Sequence, residues 1–317
     1  MKAEIAILMS TYNGEEYLEK QIQSILNQTN HDWHLYIRDD GSSDRTREII
    51  HHYAEKYSRI SFINENKVQN IGVVKSFMCL LQSVEAKFYM FSDQDDFWLP
   101  NKVQHTLNKM LQCHYQSLPV CVHTNLKVVD NSLKKEVSAF PKLVWSSFQR
   151  LLFWNCVTGC TMMVNQKLKD RVNFKKVNYQ YVYMHDWWLA LIAAEFGELV
   201  FLDEETMLYR QHGDNVEGSL QRHSIKQIIY RITNCNYDLK NVKKVIRIAR
   251  EFYIEYGSYL KKKDKNYAKE YGDLLIKSSF WQNLILAFKL PPQERSIKGK
   301  IFFSYLMVIF NKDLIGF

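Results

Sequence analysis

An α/β fold is what the sequence predicts: a mostly parallel central sheet flanked by helices on both faces, followed by a basic helical extension. Two observations carry this. Short apolar runs alternate with amphipathic stretches of helical period from residue 4 to about residue 202, and β-α-β-α alternation buries a parallel sheet beneath helices. Strongly polar clusters follow three of the apolar runs, where ligands of such sheets bind, beyond the carboxyl ends of the strands. With 317 residues, 46% of them apolar, the chain is long enough for one large domain or a domain plus an extension.

The elements follow in order. "EIAILMS" (4–10) reads as a buried strand, and "EEYLEKQIQSILNQ" (15–28) as a helix with Tyr17, Ile22 and Ile25 on one face. "WHLYIRDD" (33–40) is a second strand, and "SSDRTREIIHHYAEKY" (42–57) is a helix opened by capping residues. "ISFINEN" (60–66), "GVVKSFMCLLQSV" (72–84) and "KFYMFS" (87–92) continue as strand, helix, strand. Pro100 opens a further helix. Strands are expected near 119–130, 157–164 and 199–202, a helix from Asp186, and a polar loop over 209–219.

From about residue 220 the pattern turns helical, basic and aromatic. Residues 220–317 hold 19 Lys+Arg against 8 Asp+Glu, whereas residues 1–219 hold 23 against 26. A mildly acidic domain, 1–219, is therefore expected to precede a basic helical region, 220–317, with a different task. No window approaches the roughly 20 apolar residues of a membrane-spanning helix, and the start, "MKAEIAILMSTYNG", lacks a signal-peptide pattern. A cytoplasmic protein, peripheral on the inner face of the cell membrane, is expected. The six cysteines form no C-x-x-C pair, so reduced packing thiols are expected, Cys156 and Cys160 among them.

The stretch "SDQDDFWLP" places Asp93, Asp95 and Asp96 within four positions at the end of an apolar strand. Like charges about 5 Å apart repel by roughly 3 kcal/mol at an effective dielectric near 20. A divalent cation resolves this: Mg²⁺ or Mn²⁺ takes oxygen ligands, using one or two carboxylates while phosphates and water fill the other positions. The same letters also fit a solvated loop that caps the next helix. "IRDDGSSDRT" favours the cation, because a turn and cap explain Gly41 to Asp44 but not the pair Asp39 and Asp40 at a second strand end.

In order and with ordinary spacing, "ILMSTYNGEEYLEKQIQSILNQT", "IRDDGSSDRT", "NIGVVKSF", "FSDQDDFWLPNKV", "TGCTMMVN", "MHDWWLALIAAEFG" and "LYRQHGDN" resemble glycosyltransferase family 2. These are inverting enzymes with the GT-A nucleotide-diphospho-sugar fold. Within it the chain looks most like bacterial rhamnosyltransferases of cell-wall polysaccharide synthesis. The resemblance implies that Thr11, Tyr12, Asn13 and Glu15 surround the base and ribose of the donor. Asp39 would contact the pyrimidine, with Asp40 nearby, and Asp93 the ribose or a metal-bound water. Asp95 would be the direct ligand of Mg²⁺ or Mn²⁺ bridging the two phosphates, with Asp96 supporting the motif. Asp186 in "HDWW", beside Trp187, matches the family's catalytic base, and His185 would orient the acceptor or Asp186. His212 matches a position that closes over the diphosphate and completes the metal shell, and Arg210 is a candidate phosphate partner.

The function expected is transfer of L-rhamnose from dTDP-β-L-rhamnose to a lipid-linked glycan, with a UDP-hexose or UDP-N-acetylhexosamine donor as the alternative. A carbohydrate-binding scaffold that has lost catalysis is the non-enzymatic reading. A nucleotidyltransferase would open on a Gly-rich basic loop, and "STYNGEEYL" is acidic. No nucleic-acid partner is expected, since no recognised module appears. The basic aromatic region suits an anionic membrane surface or an oligomer contact.

Overall fold

The protein is described here from a computed structural model over residues 4–138, 144–211, 236–290 and 297–316. It divides into two compact units. The first takes residues up to Val144, Val157–Phe174 and Met184–Ser219; the second takes Trp145–Cys156, Lys175–Tyr183 and the chain from Leu220. Two short segments before residue 219 thus join the second unit. The sequence boundary near 220 lies outside the described residues.

Among the described residues the first unit has nine strands: β1 (Ile5–Thr11), β2 (Trp33–Asp39), β3 (Ile60–Phe62), β4 (Phe88–Ser92), β5 (Phe97–Trp98), β6 (Val120–Val129), β7 (Glu136–Ser138), β8 (Met162–Asn165) and β9 (Glu198–Arg210). Their order is β3-β2-β1-β4-β8-β6-β9-β5, with β7 on β6. The half β3-β2-β1-β4 is parallel throughout. The other half is mixed: β8 runs antiparallel to both β4 and β6, β9 parallel to β6, and β5 antiparallel to β9. The description as mostly parallel therefore fits the first half, where each crossover carries a helix.

Helices α1 (Leu18–Leu26), α2 (Thr46–Lys56), α3 (Val73–Ser83), α4 (Lys102–Leu111), α6 (Gln166–Arg171) and α7 (His185–Phe196) belong to this unit; α5 (Phe148–Phe153) belongs to the second. Leu18, Ile22 and Ile25 of α1 are fully buried and join Ile5, Ile7, Met9, Leu35 and Ile37 in one core. That spacing follows one face of a helix. By contrast α7, "HDWWLALIAAEF", is buried nearly all round, which its almost uniformly apolar composition requires.

One strand runs well beyond its sequence reading. The last strand, expected near 199–202, runs on to Arg210, so Arg210 ends a strand and does not lie in a polar loop. The reason is pairing on both sides: β6 follows it through Val129↔Arg210, and β5 pairs Phe97↔Leu208 and Trp98↔Met207. Asp203, Glu204 and Glu205 are exposed, while Thr206, Met207 and Arg210 are buried. The exposed acids disguise the second half of the strand as a loop.

In the second unit, α8 (Asn236–Tyr256), α9 (Lys262–Gly272), α10 (Phe280–Lys289) and α11 (Ile297–Ile309) accompany α5. Phe148 packs on Phe252, and Phe153 meets Tyr267 and Tyr271 edge-on. No helix of the described residues is long and apolar enough to cross a membrane.

Candidate active site

Strand register brings the polar clusters to one rim. Thr11 of β1 lies opposite Asp39 of β2, and Met9 lies opposite Ser92 of β4. The chain therefore leaves β1, β2 and β4 side by side, as Tyr12, Asp40 and Asp93.

Asp39 is fully buried and held on every side. Thr11 Oγ1 donates to its Oδ2 at 3.0 Å, Gly41 N and Ser42 N donate to Oδ1 at 3.1 and 2.9 Å, and the Ser42 hydroxyl donates to Oδ2. The Asn64 amide brackets its backbone, accepting from Asp39 N at 3.0 Å and donating to Asp39 O at 2.7 Å. Gly41 makes the turn at φ +92°, a region that Cβ sterics close to most residues.

Asp40 is spent inside the protein. Its Oδ1 pairs with Arg38 Nη1 at 2.7 Å and accepts from Ile71 N at 2.8 Å; its Oδ2 accepts from Gly72 N at 2.9 Å. It anchors the turn before α3.

The loop after β1 is sewn to the loop after β2. Asn13, at φ +47°, donates N–H to Ser42 Oγ and accepts from Ser43 N, both at 2.9 Å. Gly14 N donates to Thr46 Oγ1 at 2.8 Å, Glu15 N to Asp44 Oδ2 at 3.0 Å, and Arg45 N to Glu15 Oε2 at 3.0 Å. Thr11 is buried, and the aromatic ring of Tyr12 turns outward, 51% exposed. Gln94, between the aspartates of "DQDD", clasps Tyr12: Tyr12 N donates to Gln94 Oε1 and Gln94 Nε2 donates to Tyr12 O.

Asp93 and Asp95 are both partly exposed. Burial, then the charges of Asp95 and Asp186, push the Asp93 carboxyl up to about 7. Asp96 is completely buried, accepts weakly from Arg210 N at 3.4 Å, and leaves Oδ2 without a hydrogen bond. Burial and the Asp95 and Asp93 charges hold its carboxyl well above the usual range. Beneath it sit the buried thiol of Cys160 and the buried ammonium of Lys102. The thiol is raised well above its ordinary value by burial and these carboxylates; the ammonium is lowered to about 8 by burial. Lys102 Nζ donates to Thr206 Oγ1 at 3.2 Å. Ligand atoms of Asp93, Asp96 and Cys160 lie within 4.8 Å of one another; Asp95 is not part of that group.

Asp186 lies in the first turn of α7, buried at 6% exposure. Gly159 N donates to its Oδ2 at 2.9 Å, and Trp187 N donates to its Oδ1. The Asp186 charge reaches Asp93, so base-candidate and metal-candidate acids share one electrostatic neighbourhood. Trp187 is buried beside it.

Two sequence expectations change. His185 makes no hydrogen bond to the Asp186 carboxylate. Its ring is buried, stacked on Phe77 with centroids 4.2 Å apart and tilted against Phe91, with neither nitrogen hydrogen-bonded. Burial lowers it to about 3, so it is a neutral core ring. Arg210 is a brace within the fold: Nε donates to Asp95 O at 2.7 Å, Nη1 donates to Asn131 O, and the guanidinium covers the Tyr17 ring at 4.6 Å. His212 lies outside the described residues.

Gln94, Asn64, Lys102 and Cys160 entered no sequence reading as site residues. Gln94, Lys102 and Cys160 stand inside the quoted motifs, "FSDQDDFWLPNKV" and "TGCTMMVN"; Asn64 carried no signal, since only the fold brings it near.

Residues 6–171 match the model of the family described as Glycosyl transferase family 2, and the chain belongs to that family. The sheet, the acidic rim and the family agree on a GT-A glycosyltransferase. Among curated proteins it is 28% identical over 286 residues to the dTDP-rhamnosyl transferase RfbG of Shigella flexneri, covering 86% of this chain and 93% of that one. It is 27% identical over 264 residues to an Escherichia coli UDP-Glc:alpha-D-GlcNAc-diphosphoundecaprenol beta-1,3-glucosyltransferase, WfgD, covering 76% and 98%. Among solved structures, S. aureus TarS 1-349 in complex with UDP-GlcNAc superposes with a TM-score of 0.54 at 14% identity, covering 98% and 91%. The mannosyltransferase PcManGT from Pyrobaculum calidifontis, in complex with GDP-Man and Mn²⁺, gives 0.51 at 14% identity, covering 98% and 87%. At these identities the two structures speak for the fold.

Proposed function

We propose that this glycosyltransferase is an inverting, divalent-cation-dependent enzyme that transfers L-rhamnose from dTDP-β-L-rhamnose. The acceptor is a lipid-linked cell-wall polysaccharide at the inner face of the membrane, and the product linkage is α. One observation carries the reading: Asp39 ends β2 and the loop of Asp93 and Asp95 follows β4, so these acids leave the same rim on either side of β1. The similarity to RfbG over 86% of the chain supports rhamnose as the sugar. WfgD, a relative of nearly equal identity, keeps a UDP-hexose donor as the second reading.

In this reading residues 1–219 form the catalytic domain and 220–317 the acceptor-side or membrane-side region. Asp39, locked by Thr11 and Ser42, presents a fixed edge to the donor pyrimidine, and Tyr12 offers its exposed ring. Asn13 and Glu15 act by tying the two nucleotide loops together. The donor set at the rim suits a hard cation: carboxylates crowd there, and burial first, then the neighbouring Asp95 and Asp186 charges, raise the Asp93 carboxyl. Asp95, its carbonyl fixed by Arg210, and Asp93 would hold Mg²⁺ or Mn²⁺, with His212 as a further ligand. Bound there, the ion supplies charge neutralisation for the leaving diphosphate.

Asp186 removes the proton of the attacking hydroxyl. Single displacement with inversion needs one base opposite the leaving group, and a carboxylate gripped by Gly159 N and Trp187 N keeps one orientation. Asp96, with an unbonded buried oxygen, supports the loop from below. The deciding experiment offers dTDP-rhamnose, UDP-glucose and UDP-N-acetylglucosamine with a lipid-linked acceptor, reading nucleoside diphosphate release and product mass. Rhamnose addition is expected. Transfer from a UDP-hexose alone replaces the donor, and no transfer from any sugar nucleotide overturns the reading.

A further inference from the structure

The second unit carries two adjoining helices whose outer faces are as apolar as their inner ones. In α10, Asn283, Leu286, Ala287 and Leu290 are buried, while Trp281, Ile285 and Phe288 are 73%, 60% and 81% exposed. Positions 281, 285 and 288 follow the i, i+4, i+7 spacing of one helical stripe. In α11, Leu306 and Met307 are buried, while Ile301 and Tyr305, one turn apart, are exposed. The helices run antiparallel: Asn283 Nδ2 donates to Met307 O at 2.6 Å, and Lys300 Nζ donates to Leu290 O at 2.7 Å. Such outward aromatic stripes mark an interaction surface.

Charge identifies the occupant. Residues 276–316 hold six Lys+Arg against two Asp+Glu, and neither helix contains an acid. Lys277 and Lys312 are exposed, and the bond from Gly316 N to Leu275 O draws the turn carrying Lys312 toward the Lys277 end of α10. A second copy would set like charge against like. An anionic lipid surface complements it, with Trp and Phe entering the boundary between headgroups and acyl chains and lysines at the phosphates. A helix of 13 residues is about 20 Å long, short of the roughly 30 Å hydrocarbon core, so it lies on the bilayer.

We propose that α10 and α11 form a monotopic docking surface for an anionic bilayer, anchored by Trp281 and Phe288. The surface gives the lipid-linked acceptor of the reading above a place to meet the enzyme, and rests on that reading for this consequence alone. Vesicle binding is measured with neither donor nor acceptor, so the two fail separately. The full chain is floated with phosphatidylglycerol-containing and pure phosphatidylcholine vesicles at low and high salt. Binding to the anionic vesicles is expected, weakened by salt and reduced about tenfold or more in the Trp281→Glu/Phe288→Glu variant, whose sugar transfer to a water-soluble acceptor, read as nucleoside diphosphate release, is unchanged. Acyl chains brominated near the headgroup should quench fluorescence that Trp281→Phe removes, a second readout should the double variant misfold. No binding to anionic vesicles at low salt overturns the proposal. So does equal binding by the variant, or a dimer that the variant dissociates.

Discussion

Gln94 closes a two-point clasp on Tyr12, accepting from its N–H at 2.8 Å and donating to its carbonyl at 2.9 Å. The middle residue of "DQD" thereby ties the candidate metal loop to the candidate nucleotide loop. Gly14 leaves room for it: a Cβ there would stand 2.3 Å from Gln94 Oε1. Each bond is worth about 1 kcal/mol net. Gln94→Ala is expected to weaken donor binding roughly tenfold with little change in melting temperature. Gln94→Glu, which cannot donate to the carbonyl, should weaken it similarly. Donor titration by calorimetry reads both.

Asp186→Asn keeps an oxygen that can accept from Gly159 N but removes the base. A loss of about 10²-fold or more in turnover is expected, with donor affinity and melting temperature retained. Single-turnover transfer near the wild-type rate would place the base elsewhere.

Arg210→Ala removes a buried guanidinium from the Asp95 and Asn131 carbonyls. A cost of about 2–4 kcal/mol is expected, and Arg210→Lys should recover little, because an ammonium does not reproduce the fork. Urea unfolding measures this, and metal-dependent turnover should fall in parallel as the Asp95 backbone loosens.

The Asp93 carboxyl, raised to about 7 in the fold, binds a proton there that it does not bind unfolded between about pH 4 and 7. Its contribution is therefore complete at low pH and disappears as pH rises through that window. Chelator-treated protein should gain less from acidification once Asp93→Asn is introduced, and cation affinity should climb with pH toward 7 as proton and metal compete. Unfolding in chelator at a series of pH values, and Mn²⁺ titration, test the two statements.

His185 works in the opposite direction. Lowered to about 3 by burial, it stays neutral in the fold while the unfolded ring protonates near 6.5. Its contribution is present above that value and disappears as pH falls toward 3. His185→Leu should flatten the acid limb of the stability curve and leave transfer active. Loss of transfer in a folded His185→Leu protein would return His185 to the site.

The sequence by itself determined the alternating α/β order, the strand tips that carry Asp39 and Asp93, and the helix start that carries Asp186. Apolar periodicity and short acidic motifs are local patterns, legible wherever consecutive residues answer to one buried face. Local pattern could not divide a site acid from a structural one. Asp39 and Asp40 are adjacent letters, yet one is held by Thr11, Gly41 and Ser42 where the loops after β1 and β2 meet, while the other neutralises Arg38 and anchors the backbone of Ile71 and Gly72. His185 read as a group orienting the acceptor or Asp186 and Arg210 as a candidate phosphate partner; packing sets one against two phenylalanines and binds the other to backbone carbonyls. Tertiary structure alone decided these roles, because burial and hydrogen-bond partners come from residues distant in sequence. A polar side chain takes its work from what the fold sets against it.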